Sequence, residues 1–187
     1  MRRRLPRPSS SESRLNRDLA KELGVVEFLP LTPWSGARSL MPRRQGSVLG
    51  GVTYRSSPGK HGLSASFDGN DNLVQTASVA PNIPNDLTFA IRYFRRGDGG
   101  QFPRFLQTTD GATTNGIIIF DTQDSGRDTI AYQDGRYGSH TPPTGNWEAT
   151  RPSPLNNVWY DLVITYRGNV SHSELPKFYY NAVSQSV

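Results

Sequence analysis

Two stretches of the chain alternate apolar and polar residues in the manner of long β-strands. They read LTFAIRYF at residues 87–94 and VWYDLVITYR at residues 158–167. Every second side chain of a strand points to the same face, so the apolar residues of each stretch line one face. We therefore predict two central strands of antiparallel sheets with a shared core. The positions predicted for that core are Phe89, Ile91, Leu162 and Ile164, flanked by Leu87, Tyr93, Tyr160 and Tyr166.

Shorter candidate strands accompany these two long ones. Tight-turn signals such as Asp68-Gly69, Asp110-Gly111 and Asp134-Gly135 separate them. Many short strands joined by such turns are typical of β-sandwiches and β-barrels. We therefore expect residues 63–187 to form one all-β, antiparallel domain. The shorter predicted strands are 64–68, 72–77, 104–108, 116–121, 128–133, 177–181 and 183–187.

The first 62 residues lack this strand pattern. Residues 1–24 form a basic arm, and their segment 14–23 (RLNRDLAKEL) carries leucines at helical spacing. Because Ser13 can cap its start and Gly24 its end, we predict one short amphipathic helix there. Residues 25–62 are interrupted by prolines and glycines, so we expect an extended lead-in.

The composition agrees with a single β-domain and excludes several classes of protein. Only 34% of the 187 residues are hydrophobic, and 18 glycines and 14 prolines disfavour a helical bundle. The absence of cysteine excludes disulfides, thiolate metal sites and cysteine nucleophiles. No apolar run approaches the roughly 18 residues of a membrane-spanning helix, and the Arg-rich start is unlike a signal peptide. We expect neither membrane insertion nor classical secretion.

The positive charge is concentrated near the N-terminus. Residues 1–45 contain 10 lysines and arginines against 4 acidic residues, whereas residues 46–187 contain 11 against 12. Arginine suits carboxylates on protein surfaces as well as phosphates, but no aromatic residue precedes Phe28 to stack on bases. We therefore expect the arm to dock on another protein, with nucleic acid the less favoured partner. The predicted docking residues are Arg2, Arg3, Arg4, Arg7, Arg14 and Arg17.

Four segments of the chain occur in an order found in one family of β-sandwiches. They are GLSASFDGNDNLV at 62–74, LTFAIRY at 87–93, WYDLVITY at 159–166 and KFYYNAV at 177–183. In this order they resemble the segments G-x-A-L-x-F-D-G-x-D-D-Y-V, T-I-x-A-W-V, W-H-H-V-A-V-T-Y and L-Y-V-N-G-V of laminin-G-like, or concanavalin A-like, jelly-roll domains. Residues 14–60 are also similar to the lead-in of such domains in tailed-phage proteins. The resemblance implies a jelly-roll β-sandwich.

The chain departs from this family at three places. Ala182 stands where the hairpin turn usually has glycine, and Asn72 replaces the second aspartate of the usual pair. Family members continue with further strands after this hairpin, whereas this sequence ends at Val187. We expect either that the sequence is a fragment or that another chain supplies the missing strands, because an open jelly roll would leave strand edges exposed.

The residues do not predict an enzyme. Glycosidases of the concanavalin A-like class use two carboxylates about 5 Å apart in a strand of the form E-x-D-x-x-E. That signature is absent, and Glu148 and Glu174 are the only glutamates after residue 46. The histidines His61, His140 and His172 are too scattered to indicate a catalytic triad or a metal cluster.

Two loop regions are candidates for ligand binding. Asp121, Asp124 and Asp128 could supply oxygen ligands to calcium, although an Asx-rich hairpin turn explains the same residues. Aromatic and amide side chains in residues 132–157 are what a sugar-binding surface needs, although the favoured interpretation is that the rings pin a long loop to the sheet. The candidate carbohydrate-binding residues are Tyr132, Tyr137, His140, Asn146 and Trp147.

The function expected from these observations is that of a non-enzymatic structural protein of a phage particle. It would decorate or join the capsid or tail within the virion, docked through its N-terminal arm. Its expected partners are other virion subunits, such as major capsid or tail proteins, in a homo-oligomer or multi-copy assembly. The alternative is a carbohydrate-binding adhesion module. No cofactor is expected apart from the candidate calcium ion.

Overall fold

A computed structural model describes residues 22, 46–56, 63–68, 73–75, 86–96, 104–107, 116–122, 129–134, 146–151, 156–167 and 174–185. Most of these residues belong to antiparallel strands, which confirms the predicted all-β class. Glu22 has helical backbone conformation, and the rest of the predicted helix 14–23 lies outside the described residues. The strands are β1 (Ser47–Leu49), β2 (Thr53–Ser56), β3 (Leu63–Ser66), β4 (Leu73–Gln75), β5 (Asp86–Phe94), β6 (Arg104–Gln107), β7 (Ile117–Thr122), β8 (Thr129–Asp134), β9 (Asn146–Thr150), β10 (Trp159–Arg167), β11 (Lys177–Tyr180) and β12 (Val183–Gln185).

The chain divides into two units, Met1–Ala80 and Pro81–Val187. In the first unit, β1 pairs with β4 and β2 pairs with β3, both antiparallel. Gly50 and Gly51 connect β1 to β2 with φ angles of 69° and 76°. Glycine adopts this left-handed conformation at no steric cost, which permits the tight change of direction between the two strands.

The second unit contains two four-stranded antiparallel sheets. The strand order is β12-β11-β10-β5 in the first sheet and β6-β7-β8-β9 in the second. Strands β5 and β10 pair over their whole length, with Leu162 opposite Ile91 and Ile164 opposite Phe89. This register places the apolar faces of both long strands on the same side of the sheet, as their alternation predicts.

One hydrophobic core lies on the inner faces of these two sheets. Leu162, Ile164 and Phe178 of the first sheet are buried, as are Ile119 and Ile130 of the second. Phe89 and Ile91 are partly buried and pack against the same core, so the predicted core positions are confirmed. Rings meet across the sheets: Tyr166 lies 5.3 Å from Tyr132 and 4.9 Å from Trp147 between ring centroids. The architecture is therefore sandwich-like.

The sequence pattern identified most strands and overlooked three. Strands β3 to β8 and β10 to β12 all lie at predicted positions, with bounds that differ by a few residues. Strand β9 falls in a stretch predicted as a loop, and β1 and β2 fall in the predicted lead-in. Each of the three is at most five residues long and lies among glycines or prolines, so its periodicity is too brief to distinguish from a turn-rich segment.

Candidate functional site

Several predicted site residues lie outside the described part of the chain. They include all of the arm arginines. Within the described residues, no group of three or more side chains is arranged to hold a metal ion. The predicted site residues that lie outside the described part of the chain are Arg2, Arg3, Arg4, Arg7, Arg14, Arg17, Asp124, Asp128, Tyr137 and His140.

Tyr132 and Trp147 belong to the core rather than to a sugar-binding surface. Tyr132 is 0% exposed and Trp147 is 7% exposed. The two rings stack with their centroids 5.7 Å apart, and both contact Tyr166 of the facing sheet. Rings without solvent exposure cannot receive a pyranose face, so the alternative that they anchor this segment is the better interpretation. Asn146, at the start of β9, is exposed.

Asp121 lies in the interior between two arginines, which argues against its predicted role as a calcium ligand. An Nη1–H of Arg151 donates to its Oδ2 at 2.9 Å, and Nε of Arg95 lies 3.9 Å from the same oxygen. All three side chains are less than one-tenth exposed. A carboxylate held by two guanidinium groups has no need of a metal cation, and the positive charges would repel one.

The same three charges connect the two sheets of the second unit. Arg95 directly follows β5, whereas Asp121 is in β7 and Arg151 directly follows β9. The backbone N–H of Asn157 also donates to the carbonyl of Arg95 at 2.7 Å, which extends the β5–β10 pairing beyond the end of β5. We call this group the Arg95–Asp121–Arg151 cluster. It orients the end of β5 relative to the facing sheet.

Tyrosines surround the cluster on the inner face of the first sheet. Burial raises the pKa of Tyr93, Tyr160 and Tyr180 above the ordinary value for tyrosine. Tyr93 and Tyr180 also interact electrostatically, and the nearby Asp121 carboxylate further raises both of their pKa values. These hydroxyl groups therefore remain protonated in the folded protein at neutral pH.

The outer face of the same strands carries an aromatic pair that the sequence analysis did not single out. Phe94 of β5 lies directly opposite Trp159 of β10, with ring centroids 5.4 Å apart. Both residues are partly exposed. The guanidinium carbon of Arg92 lies 5.7 Å from the centroid of the Trp159 ring. An aromatic surface with an adjacent cation is thus held on the side of the sheet away from the core.

Polar groups complete this surface. Nε of Arg92 lies 3.6 Å from Oδ1 of Asp161, and the two side chains are 48% and 52% exposed. Asn181, in the turn between β11 and β12, is exposed and accepts a 2.9 Å hydrogen bond from the Asp161 backbone N–H through its Oδ1. We call this surface the Trp159 patch. It consists of Arg92, Phe94, Trp159, Asp161 and Asn181.

Sequence reasoning could have found the Trp159 patch from one signal. In both long strands, an aromatic residue occupies the polar side of the alternation, namely Phe94 next to core residue Tyr93 and Trp159 next to core residue Tyr160. An aromatic residue out of phase with the core is a candidate for surface recognition. The pairing register that brings the two rings together is visible only in the sheet.

The glutamates show no catalytic arrangement in the described part of the chain. Glu148, in β9, accepts a 3.2 Å hydrogen bond from the hydroxyl of Thr129. Glu174 is exposed and precedes β11. Glu148 thus lies in the second sheet, and Glu174 lies in the segment that leads into the first. Among the described ion pairs and hydrogen bonds, neither glutamate contacts a second carboxylate.

No protein family, curated protein or solved structure matches this chain. Among the described residues, no helix is both long enough and apolar enough to cross a membrane.

Proposed function

We propose that the chain is a non-enzymatic structural protein of a phage particle, built on a concanavalin A-like jelly roll and docked in the virion through its basic N-terminal arm. It would decorate or join the capsid or tail, and its partners would be other virion subunits in a multi-copy assembly. The proposal requires an all-β body of antiparallel sheets, and the described part of the chain forms such sheets.

The observation that carries the proposal is the concentration of positive charge in the first 45 residues, which comprise the arm and the start of the lead-in. Residues 1–45 hold 10 of the 21 lysines and arginines but only 4 of the 16 acidic residues. Arm residues rich in arginine, proline and serine have little apolar surface with which to offset the entropy cost of ordering. An arm of this kind gains order from a partner, and arginine is suited to carboxylates on that partner.

The proposal is tested by incorporation of a tagged full-length chain into particles during infection. We expect replacement of Arg2, Arg3, Arg4 and Arg7 by serine to lower the amount in gradient-purified particles by about tenfold, because each lost ion pair weakens docking. The matched control replaces the same four residues by lysine and keeps the charge. Equal incorporation of the serine variant and the unmodified chain would refute docking through the arm.

A carbohydrate-binding adhesion module is the second candidate function. The observation that favours it is the Trp159 patch, where partly exposed rings adjoin an exposed carboxylate, guanidinium and amide. Sugar-binding surfaces combine these chemical groups, because rings contact the C–H face of a pyranose and polar groups bond to its hydroxyls. Binding of soluble polysaccharides to the purified protein tests this candidate.

A further inference from the structure

The Trp159 patch differs from every other described aromatic cluster of the second unit in facing away from the core. Tyr132, Trp147 and Tyr166 are in the core, whereas Trp159 and Phe94 keep part of their surface in solvent. Arg92 and Asp161 reach the solvent with about half of each side chain. Exposed rings beside charged groups are typical of binding surfaces. A ligand that covers the rings removes apolar area from water, and the charged groups can orient that ligand by hydrogen bonds.

The charges of the patch indicate the kind of ligand. Arg92 and Asp161 lie 3.6 Å apart, so the pair has no net charge. A guanidinium has five N–H donors and a carboxylate has about four acceptor positions, so both retain hydrogen-bonding capacity towards a ligand while paired. The Asp161 carboxylate would repel a phosphate backbone. A neutral ligand with many hydroxyl groups can instead form hydrogen bonds with both the Arg92 guanidinium and the Asp161 carboxylate.

The patch is also held in place before any ligand arrives. Asn181 forms two 2.9 Å hydrogen bonds with the Asp161 backbone, one through its side chain and one through its own backbone N–H. On the inner side of the same strands, the Arg95–Asp121–Arg151 cluster orients the end of β5. Preorganised contact groups lose little conformational entropy on binding, which favours a weak ligand such as a sugar.

From these observations we propose that the Trp159 patch binds a neutral hexopyranose unit of a polysaccharide. The C–H face of the sugar ring packs on Trp159 and Phe94, the Asp161 carboxylate accepts from two of its hydroxyls, and the Arg92 guanidinium donates to a third oxygen. This inference rests on the carbohydrate-binding candidate function and names its site.

The test measures binding of the purified full-length chain to immobilised dextran, galactan and mannan, with an oligothymidylate as the competing class of ligand. We expect binding to at least one polysaccharide, weakened by about tenfold or more in Trp159→Ala and in Asp161→Asn. Trp159→Phe keeps a ring and should retain more binding than Trp159→Ala. Each variant is first compared with the unmodified chain in chemical unfolding.

The matched control is Arg167→Gln. Arg167 also forms an exposed ion pair on this sheet, with Asp86 at 3.9 Å, but it lies eight residues along β10 from Trp159, or roughly 26 Å. Its binding should equal that of the unmodified chain. Polysaccharide binding that survives all changes to the patch would overturn the site while leaving the carbohydrate-binding function standing. Absence of binding to all three polysaccharides would overturn both, as would binding only to the oligothymidylate through Trp159.

Discussion

Asn181, in the turn between β11 and β12, exchanges two hydrogen bonds with Asp161 of β10. The backbone N–H of Asn181 donates to the carbonyl of Asp161 at 2.9 Å, and its side-chain Oδ1 accepts from the Asp161 backbone N–H at 2.9 Å. The amide side chain thus takes the place of a backbone carbonyl and continues the β10–β11 pairing one position beyond Tyr180. A single turn residue thereby shapes the hairpin and orients the residue that supplies the carboxylate of the Trp159 patch.

Substitutions at Asn181 separate its two contributions. Asn181→Gly keeps the left-handed backbone, since φ is 47° here, and removes the side-chain hydrogen bond. The strain that glycine relieves and the larger entropy of the unfolded chain roughly cancel, because asparagine already tolerates this φ value. We expect it to lower the free energy of unfolding by about 0.5–1 kcal/mol. Asn181→Ala should cost about 1 kcal/mol more, because alanine also resists this φ value. Urea unfolding measures both, and equal stabilities of the two variants would contradict the backbone argument.

Ala182→Gly should stabilise the protein. Ala182 has φ of 66°, so both residues of this two-residue turn are left-handed, as in a type I′ turn. Glycine relieves about 1–2 kcal/mol of steric cost and loses part of that gain through the larger entropy of the unfolded chain. We expect a net gain of about 0.5–1 kcal/mol in urea unfolding. Ser184→Gly in the adjoining strand β12 relieves no strain and should destabilise instead.

Asp121→Asn should strongly destabilise the second unit. The change leaves two buried guanidinium groups without the carboxylate between them, and breaking a buried ion pair costs about 3–5 kcal/mol. The control is Asp161→Asn, in an ion pair with both side chains about half exposed, which should cost less than about 1 kcal/mol. Similar unfolding midpoints for the two variants would show that the cluster contributes no more than a surface ion pair.

The folded protein should lose stability in alkaline solution. Burial raises the pKa of Tyr93 and Tyr180 above the ordinary value of 10.0, so the folded state keeps both protons where the unfolded chain releases them. Stability is therefore unaffected by these groups below about pH 10 and falls above it, by about 1.4 kcal/mol per pH unit for each tyrosine.

Unfolding free energies at a series of pH values from 9 to about 11.5 measure this slope. Tyr93→Phe and Tyr180→Phe should each reduce it, and the double variant should reduce it further. Identical slopes in the unmodified chain and the double variant would show that other groups cause the alkaline loss.

The alternation of side chains along β5 and β10 was sufficient to predict both long strands and their core faces. Phe89 and Ile91 pack against the core, and Leu162 and Ile164 lie within it, because a period of two places them all on one side of each strand. The short strands predicted at 177–181 and 183–187 are likewise observed, as the antiparallel pair β11 and β12. Such features depend on neighbouring residues alone, so the sequence by itself determines them.

Only the tertiary structure decided which of the remaining residues are buried. Tyr132 and Trp147 carry no local mark of burial, but pairing of β8 with β9 turns both towards Tyr166 of the facing sheet. Asp121 meets Arg151 across 30 positions of sequence, and Phe94 meets Trp159 through the register of β5 with β10. These contacts form only when strands from distant parts of the chain pair with each other. The local periodicity of a strand does not specify which other strand it pairs with.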